Sequence, residues 1–141
     1  MLDQKIVFEV LQQNGVRFFT GVPDSYLNGF CNFAIAHYGE RNVIAANEGN
    51  AVSIAAGHYF ATKEIPLVFM QNSGMGNAVN PLVSLADKNV YAVPMLFFAV
   101  SCMEKQRFRI KRRINLLKFR IKRILLLFTV FPINKKAAFL L

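Results

Sequence analysis

The sequence predicts an α/β fold, an open parallel sheet with helices on both faces, carried by residues 1–100 of a 141-residue chain. Three observations predict it. Short β-prone runs alternate with segments of helical apolar spacing, the pattern of βαβ units. Ile65 to Met70 is almost wholly apolar, as a parallel strand buried on both faces must be. The residues richest in Gly, Asn, Ser, Asp and Glu fall just after the strands, where open α/β sheets bind their ligands.

The elements follow in order. Asp3 can cap a first helix, whose apolar stripe is Ile6, Val7, Val10 and Leu11 and which Gly15 ends. Val16 to Thr20 is a short strand closed by Gly21-Val22-Pro23. Asp24 or Ser25 caps a second helix, with Leu27, Phe30, Cys31, Ala34 and Ile35 as its buried face and Gly39 as its stop. Asn42 to Ala46 is a strand. Ala51, Ile54, Ala55 and Ala61 mark a small-residue helix able to lie close against a sheet. Ile65 to Met70 is the next strand, and Asn72 to Asn77 a glycine-containing loop. Val79, Leu82, Val83 and Ala86 predict a further helix. The stretch Tyr91 to Val100 ends in the apolar strand Met95 to Phe98.

At Ser101 the character of the chain changes. Up to Val100 there are 5 Lys+Arg against 7 Asp+Glu; from Ser101 onward there are 12 against 1. All eight glycines lie at or before Gly76. The formal charge of +9 therefore describes the last 41 residues and not the α/β part, so it is no evidence that the fold itself binds nucleic acid. Two domains are assigned on this basis: 1–100, the α/β domain, and 101–141, a basic and apolar tail. Cys31 and Cys102 form no CxxC or Cys/His motif and read as unpaired thiols of a reducing compartment. The start Met1-Leu2-Asp3-Gln4-Lys5 lacks a signal-peptide pattern. The longest apolar run of the tail, Ile124 to Phe128, is far short of the ~20 residues of a membrane span. A cytoplasmic location is expected.

Three segments fall at the carboxyl ends of the strands: Gly21–Ser25, Asn47–Asn50 and Gln71–Asn77. Glu48 opens a helix after an apolar strand. A carboxylate there is either a capping acid facing the positive helix end or a functional group. Gly49 permits close approach, and Ala51, Ala55 and Ala56 leave room for a flat ring. The loop Gln71-Asn72-Ser73-Gly74-Met75-Gly76-Asn77 lacks the Gly-Lys-Ser/Thr of a phosphate loop and reads either as a ligand-facing segment or as a plain βα turn. Asp24 and Ser25 serve equally as caps. His37 and His58 have no carboxylate or cysteine at ligand spacing and read as structural or surface residues. Neither a Ser/His/Asp set nor a metal site is found.

Taken together, Gly21-Val22-Pro23-Asp24-Ser25, Asn47-Glu48-Gly49-Asn50-Ala51 and Gln71-Asn72-Ser73-Gly74-Met75-Gly76-Asn77 resemble the phosphonopyruvate decarboxylases, thiamine-diphosphate-dependent enzymes of 2-oxo acid metabolism close to the sulfopyruvate decarboxylases. The resemblance spans about residues 1–99 and covers most of the pyrimidine-binding domain. It implies conversion of 3-phosphonopyruvate to phosphonoacetaldehyde and carbon dioxide. Glu48 becomes the glutamate that hydrogen-bonds the cofactor's aminopyrimidine ring and, by favouring its imino tautomer, equips a ring nitrogen to deprotonate the thiazolium carbon. Gly49, Asn72, Ser73 and Gly74 would border the cofactor, and Asp24 and Ser25 the substrate.

The resemblance also implies a second half, a pyrophosphate-binding domain with a Gly-Asp-Gly…Asn magnesium motif. The 141 residues contain no Gly-Asp-Gly. Magnesium and the diphosphate would have to be held by another domain or subunit, in an assembly that is a homo-oligomer in the intact enzyme. The chain alone is expected to be inactive. A pyrimidine-binding alpha subunit of a two-chain sulfopyruvate decarboxylase is the alternative.

After Met95–Phe98 the resembled family continues with Gly-Trp-x-Gly-Glu and an acidic stretch. A reading-frame change is the expected origin of the departure: Cys102–Gln106 can be encoded by TGC ATG GAG AAG CAG, which grouped one base earlier reads His-Gly-Glu-Ala. A binding role for the tail competes. Phe108-Arg109-Ile110-Lys111-Arg112 recurs as Phe119-Arg120-Ile121-Lys122-Arg123, and such basic and apolar interleaving suits RNA or an anionic membrane.

Overall fold

The computed structural model describes residues 4–87, 89–102, 119–121 and 124–131. The first helix, α1 (Gln4–Gln13), leads into strand β1 (Phe18–Gly21). A 3-10 turn at Ser25–Leu27 then feeds α2 (Asn28–Tyr38). Strand β2 (Asn42–Ile44), helix α3 (Glu48–Thr62) and strand β3 (Pro66–Gln71) follow. After a 3-10 turn at Asn72–Gly74 comes α4 (Met75–Pro81). Pro81 has no N–H to continue the ladder, and the chain passes into a π-helical turn, Leu82–Ala86. Strand β4 (Met95–Cys102) completes the α/β part.

The sheet runs β2-β1-β3-β4, all parallel. It continues through β6 (Ile124–Phe131), parallel to β4 from Met95↔Ile124 to Cys102↔Phe131. The far edge is β5 (Phe119–Ile121), antiparallel to β6. The expected α/β architecture is thus present, and part of the basic tail joins its sheet. A three-residue edge strand offers little length for pairing with another chain.

Two cores sit on the two faces. On one, α1, the Ser25–Leu27 turn and α2 pack Phe8, Leu27, Phe30, Cys31 and Ala34 against Phe19, Leu67, Phe69 and Val100. On the other, α3 and α4 pack Ala51, Val52, Ala55, Ala56 and Ala78 against Val68, Met70, Met95, Phe97 and Ala99. Alternation along β3 sends Leu67 and Phe69 to the first core and Val68 and Met70 to the second. Phe8 is the hub of the first, with ring centroids 4.7 Å from Phe30, 4.8 Å from Phe33, 5.0 Å from Phe19 and 5.1 Å from Tyr38. Phe8→Ala removes every one of these contacts and is expected to cost about 3–5 kcal/mol, read as a fall in the urea midpoint at unchanged slope.

Several expectations shift. The cap expected at Asp3 lies outside the described residues. Ile35, assigned to the buried face of the second helix, is 56% exposed. The expected Asn72–Asn77 loop is shorter, because the helix already begins at Met75, so Gly76 and Asn77 are helical. Val79 and Val83, two of the apolar residues whose spacing predicts the further helix, face solvent, while Ala78 and Ala86 are buried. Ala78 turns toward the core that α3 and α4 share, with Met75, Leu82 and Leu85 packed around it. The last strand runs to Cys102, past Phe98 and past the change in charge at Ser101. Among the described residues, no helix is long and apolar enough to cross a membrane.

Candidate functional site

The order β2-β1-β3-β4 contains a reversal. From β1 the chain moves outward to β2 through α2, on one face. From β3 it moves the other way to β4 through α4, on the opposite face. The crevice outside the carboxyl ends of β1 and β3 is therefore a topological switch point, the place where such sheets bind ligands. Backbone hydrogen bonds tie the segments around it: Val22 N–H donates to the Phe69 carbonyl (3.1 Å) and Ala45 N–H to the Gly21 carbonyl (2.9 Å).

Glu48 enters this edge at the first position of α3. The helix is capped by its neighbour, since the Asn47 side-chain oxygen accepts from Asn50 N–H at 2.9 Å. The Glu48 carboxylate is thus released from the capping role that position alone would assign to it. Instead it crosses to α4, where Oε2 accepts from Asn77 Nδ2 at 2.9 Å. Glu48 is half-buried and Gly74 is buried. A Cβ built on Gly74 would overlap Oε1, Cδ and Cγ of Glu48, so the acid lies directly on the glycine. Gly49 plays a matching part, since a Cβ there would come within 3.0 Å of the Asn77 carbonyl oxygen and 3.7 Å of Pro81 Cγ. The two glycines let the starts of α3 and α4 interlock around one carboxylate. Among the described residues, Oε1 has no hydrogen-bond donor.

The remaining predicted site residues are less closely joined. In the Asn72–Gly74 turn, Ser73 Oγ donates to Gln71 Oε1 at 3.0 Å, and Asn72 is exposed. Asp24 caps the turn before α2, its Oδ1 accepting from Tyr26 N–H at 2.9 Å, and Ser25 is exposed. Asp24 and Ser25 lead into the helix on the α1/α2 face, whereas Glu48 and Gly74 start the helices of the other. The structure therefore brings Glu48, Gly49 and Gly74 together and sets Asp24 and Ser25 across the crevice, with no hydrogen bond or ion pair between the two groups among the described residues. Cys31 is buried below the Asp24 turn. Burial pushes its thiol up from the ordinary value, against a smaller opposing pull from backbone hydrogen bonding at Asp24.

Neither histidine is in the site. His58 stacks on Phe18 (centroids 3.9 Å apart, planes 7° apart) and places Nε2 3.4 Å from Glu64 Oε2, an ion-pair distance without hydrogen-bond geometry. Arg41 Nη1 lies 3.4 Å from the same oxygen. Phe18 opens β1 and Glu64 precedes β3, so this cluster lies at the opposite, amino edge of the sheet. His37 pairs its Nδ1 with the Phe33 carbonyl oxygen. Among the described residues, no three His, Cys, Asp or Glu side chains gather as a metal site.

Residues 4–109 match the thiamine pyrophosphate enzyme family, N-terminal TPP binding domain. The chain belongs to that family. The match runs nine residues past the change in composition at Val100. Phosphonopyruvate decarboxylase of Streptomyces hygroscopicus is 39% identical over 71 residues, covering 50% of this chain and 18% of that enzyme. Sulfopyruvate decarboxylase subunit alpha of Methanococcus maripaludis is 30% identical over 90 residues, covering 64% of this chain and 52% of that subunit. The chain thus spans about half the length of one curated relative and under a fifth of the other. Benzoylformate decarboxylase from Polynucleobacter necessarius shares the fold, with a TM-score of 0.56 at 23% identity, over 73% of this chain and 18% of that one.

Family membership supports thiamine diphosphate as the cofactor, and the Glu48 site fits one end of it. An aminopyrimidine offers ring nitrogens and an amino group; the site offers a half-buried acceptor carboxylate whose Oε1 has no donor among the described residues. Asn77 is the residue of this cluster that sequence reasoning leaves unassigned. In sequence it merely closes a loop motif. Its partner is 29 positions away, and only the packing of α4 on α3 brings the two together.

Proposed function

We propose that this chain forms the pyrimidine-facing wall of a thiamine-diphosphate-dependent site that decarboxylates a 2-oxo acid bearing an anionic group on carbon 3. The preferred substrate is 3-phosphonopyruvate, giving phosphonoacetaldehyde and carbon dioxide. The observation that carries this reading is the Glu48 carboxylate, freed from capping by Asn47 and held between Asn77 and Gly74 at the carboxyl edge of the sheet.

Bound thiamine diphosphate supplies the electron sink that lets carbon dioxide leave a 2-oxo acid. Glu48 holds a proton between Oε1 and a ring nitrogen, acting as the acid–base group of the site. Gly49 and Gly74 let the starts of α3 and α4 close around it. Asn72 and Ser73 border the same crevice, with Asp24 and Ser25 opposite on the substrate side. The cofactor's diphosphate and magnesium belong to a pyrophosphate-binding domain or subunit supplied by a partner.

A second reading has its own support: the sulfopyruvate decarboxylase alpha subunit is matched over a longer stretch and to a greater share of its length than phosphonopyruvate decarboxylase. In that arrangement the substrate is sulfopyruvate and the other half-site a separate chain. One experiment addresses both: decarboxylation by the full chain with thiamine diphosphate and magnesium, with and without the protein encoded beside it, on each substrate. Turnover of phosphonopyruvate supports the first reading, and turnover of sulfopyruvate only with the partner supports the second. No turnover on either substrate in any combination overturns both. The basic tail enters this proposal as the product of a reading-frame change, which genomic sequence across the Phe98 codon tests.

A further inference from the structure

A glutamate at the first turn of a helix has three side-chain torsions and samples several staggered rotamers unless something fixes it. Here two features act on Glu48. Gly74 limits where the carboxylate lies, and Asn77 donates to Oε2. Asn77 is itself exposed, so it has no core to fill. Its backbone is held by the close approach of α4 to Gly49. Its donor is neutral. A lysine or arginine at this place would pair with the carboxylate and oppose the proton exchange a ring nitrogen requires, whereas an amide fixes the geometry without adding charge.

We propose that Asn77 is the positioning residue of this site, orienting Glu48 through its Nδ2–H and leaving Oε1 as the acceptor for the ligand. The inference rests on the reading of Glu48 as the carboxylate that meets the cofactor ring. It adds a residue that acts only through Glu48.

The test uses Asn77→Ala and Asn77→Asp. The aspartate keeps the shape of asparagine but has no amide donor and brings a second negative charge, so it separates the hydrogen bond from mere volume. In the full chain carrying carbon-13-labelled glutamate, three-bond couplings report the Glu48 rotamer. The wild type is expected to show one rotamer and both variants averaged couplings, with Tm within about 3 °C because the position is exposed. In the assembled enzyme, kcat is expected to fall about 10- to 100-fold in both variants while KM for thiamine diphosphate changes less than about threefold. A single unchanged Glu48 rotamer in the variants, or wild-type kcat in Asn77→Asp, overturns the proposal. Absence of turnover in the wild type with every partner counts against the decarboxylase reading, and the couplings still decide the role of Asn77.

Discussion

Glu48→Gln is expected to lower decarboxylase turnover by about 10²- to 10⁴-fold, the range that a positioned acid–base group contributes. The substitution is chosen for what it retains. Glutamine has the length of glutamate, so it still lies on Gly74, and its carbonyl oxygen still accepts from Asn77 Nδ2. It loses the capacity to take up and release a proton. The helix keeps its cap, because Asn47 supplies it. Only the small favourable interaction of a negative charge with the helix start disappears, about 0.3–1 kcal/mol. Steady-state carbon dioxide release by the assembled enzyme, measured beside the melting temperature, checks this. A loss smaller than tenfold at unchanged stability would mean that the interlocked carboxylate serves the fold and not the reaction.

Much of this arrangement is legible in the sequence, and the parts that are not share a cause. The strand–helix alternation and the apolar run in β3 suffice to predict a parallel sheet with covered faces, because both signals are local. The three carboxyl-end segments follow from the same order. What local signals miss is which side of a helix turns inward. Val79 and Val83 have helical spacing and high hydropathy, yet the inward side carries Ala78 and Ala86. Ile35 departs from its helical spacing in the same way at the end of α2. The Asn72 loop reads longer in sequence than it is, because Gly76 argues against helix on propensity, about 1 kcal/mol relative to alanine, and tertiary contact overrides that. At Glu48 the neighbouring Asn47 is a local sign that the cap lies elsewhere, but where the carboxylate goes instead, to Asn77 29 positions on, is visible only in the fold. Beyond Val100, the apolar run at Ile124 reads in sequence only as too short to span a membrane, and its pairing beside β4 is a long-range fact.

Gly74→Ala is expected to reduce turnover by about 100-fold while changing stability by less than about 1 kcal/mol. Gly74 has φ −76° and ψ −9°, a backbone conformation open to any L residue, so the new methyl group meets no local strain. What it meets is the Glu48 side chain, at Oε1, Cδ and Cγ. The obstacle is the end of a flexible side chain and not backbone, so the chain relieves the clash by rotating Glu48 away. The conformational cost is partly offset by the lower unfolded-state entropy of alanine, about 0.4–1 kcal/mol. The fold therefore survives while the carboxylate leaves the position at which Asn77 holds it, and a displacement near 1 Å is enough to cost about two orders of magnitude in rate. Gly76→Ala, two residues on, is the matched control. Apart from its chain neighbours and its own turn of helix, nothing lies within 4 Å of a Cβ built there, and alanine favours the helix, so turnover is expected to hold and Tm to rise slightly. Thermal melts and carbon dioxide release on the two variants together isolate the geometry of one carboxylate from glycine content in general. Equal activity in both would mean that the reaction tolerates Glu48 in more than one place, and the interlock of α3 with α4 would then have to be explained by packing alone.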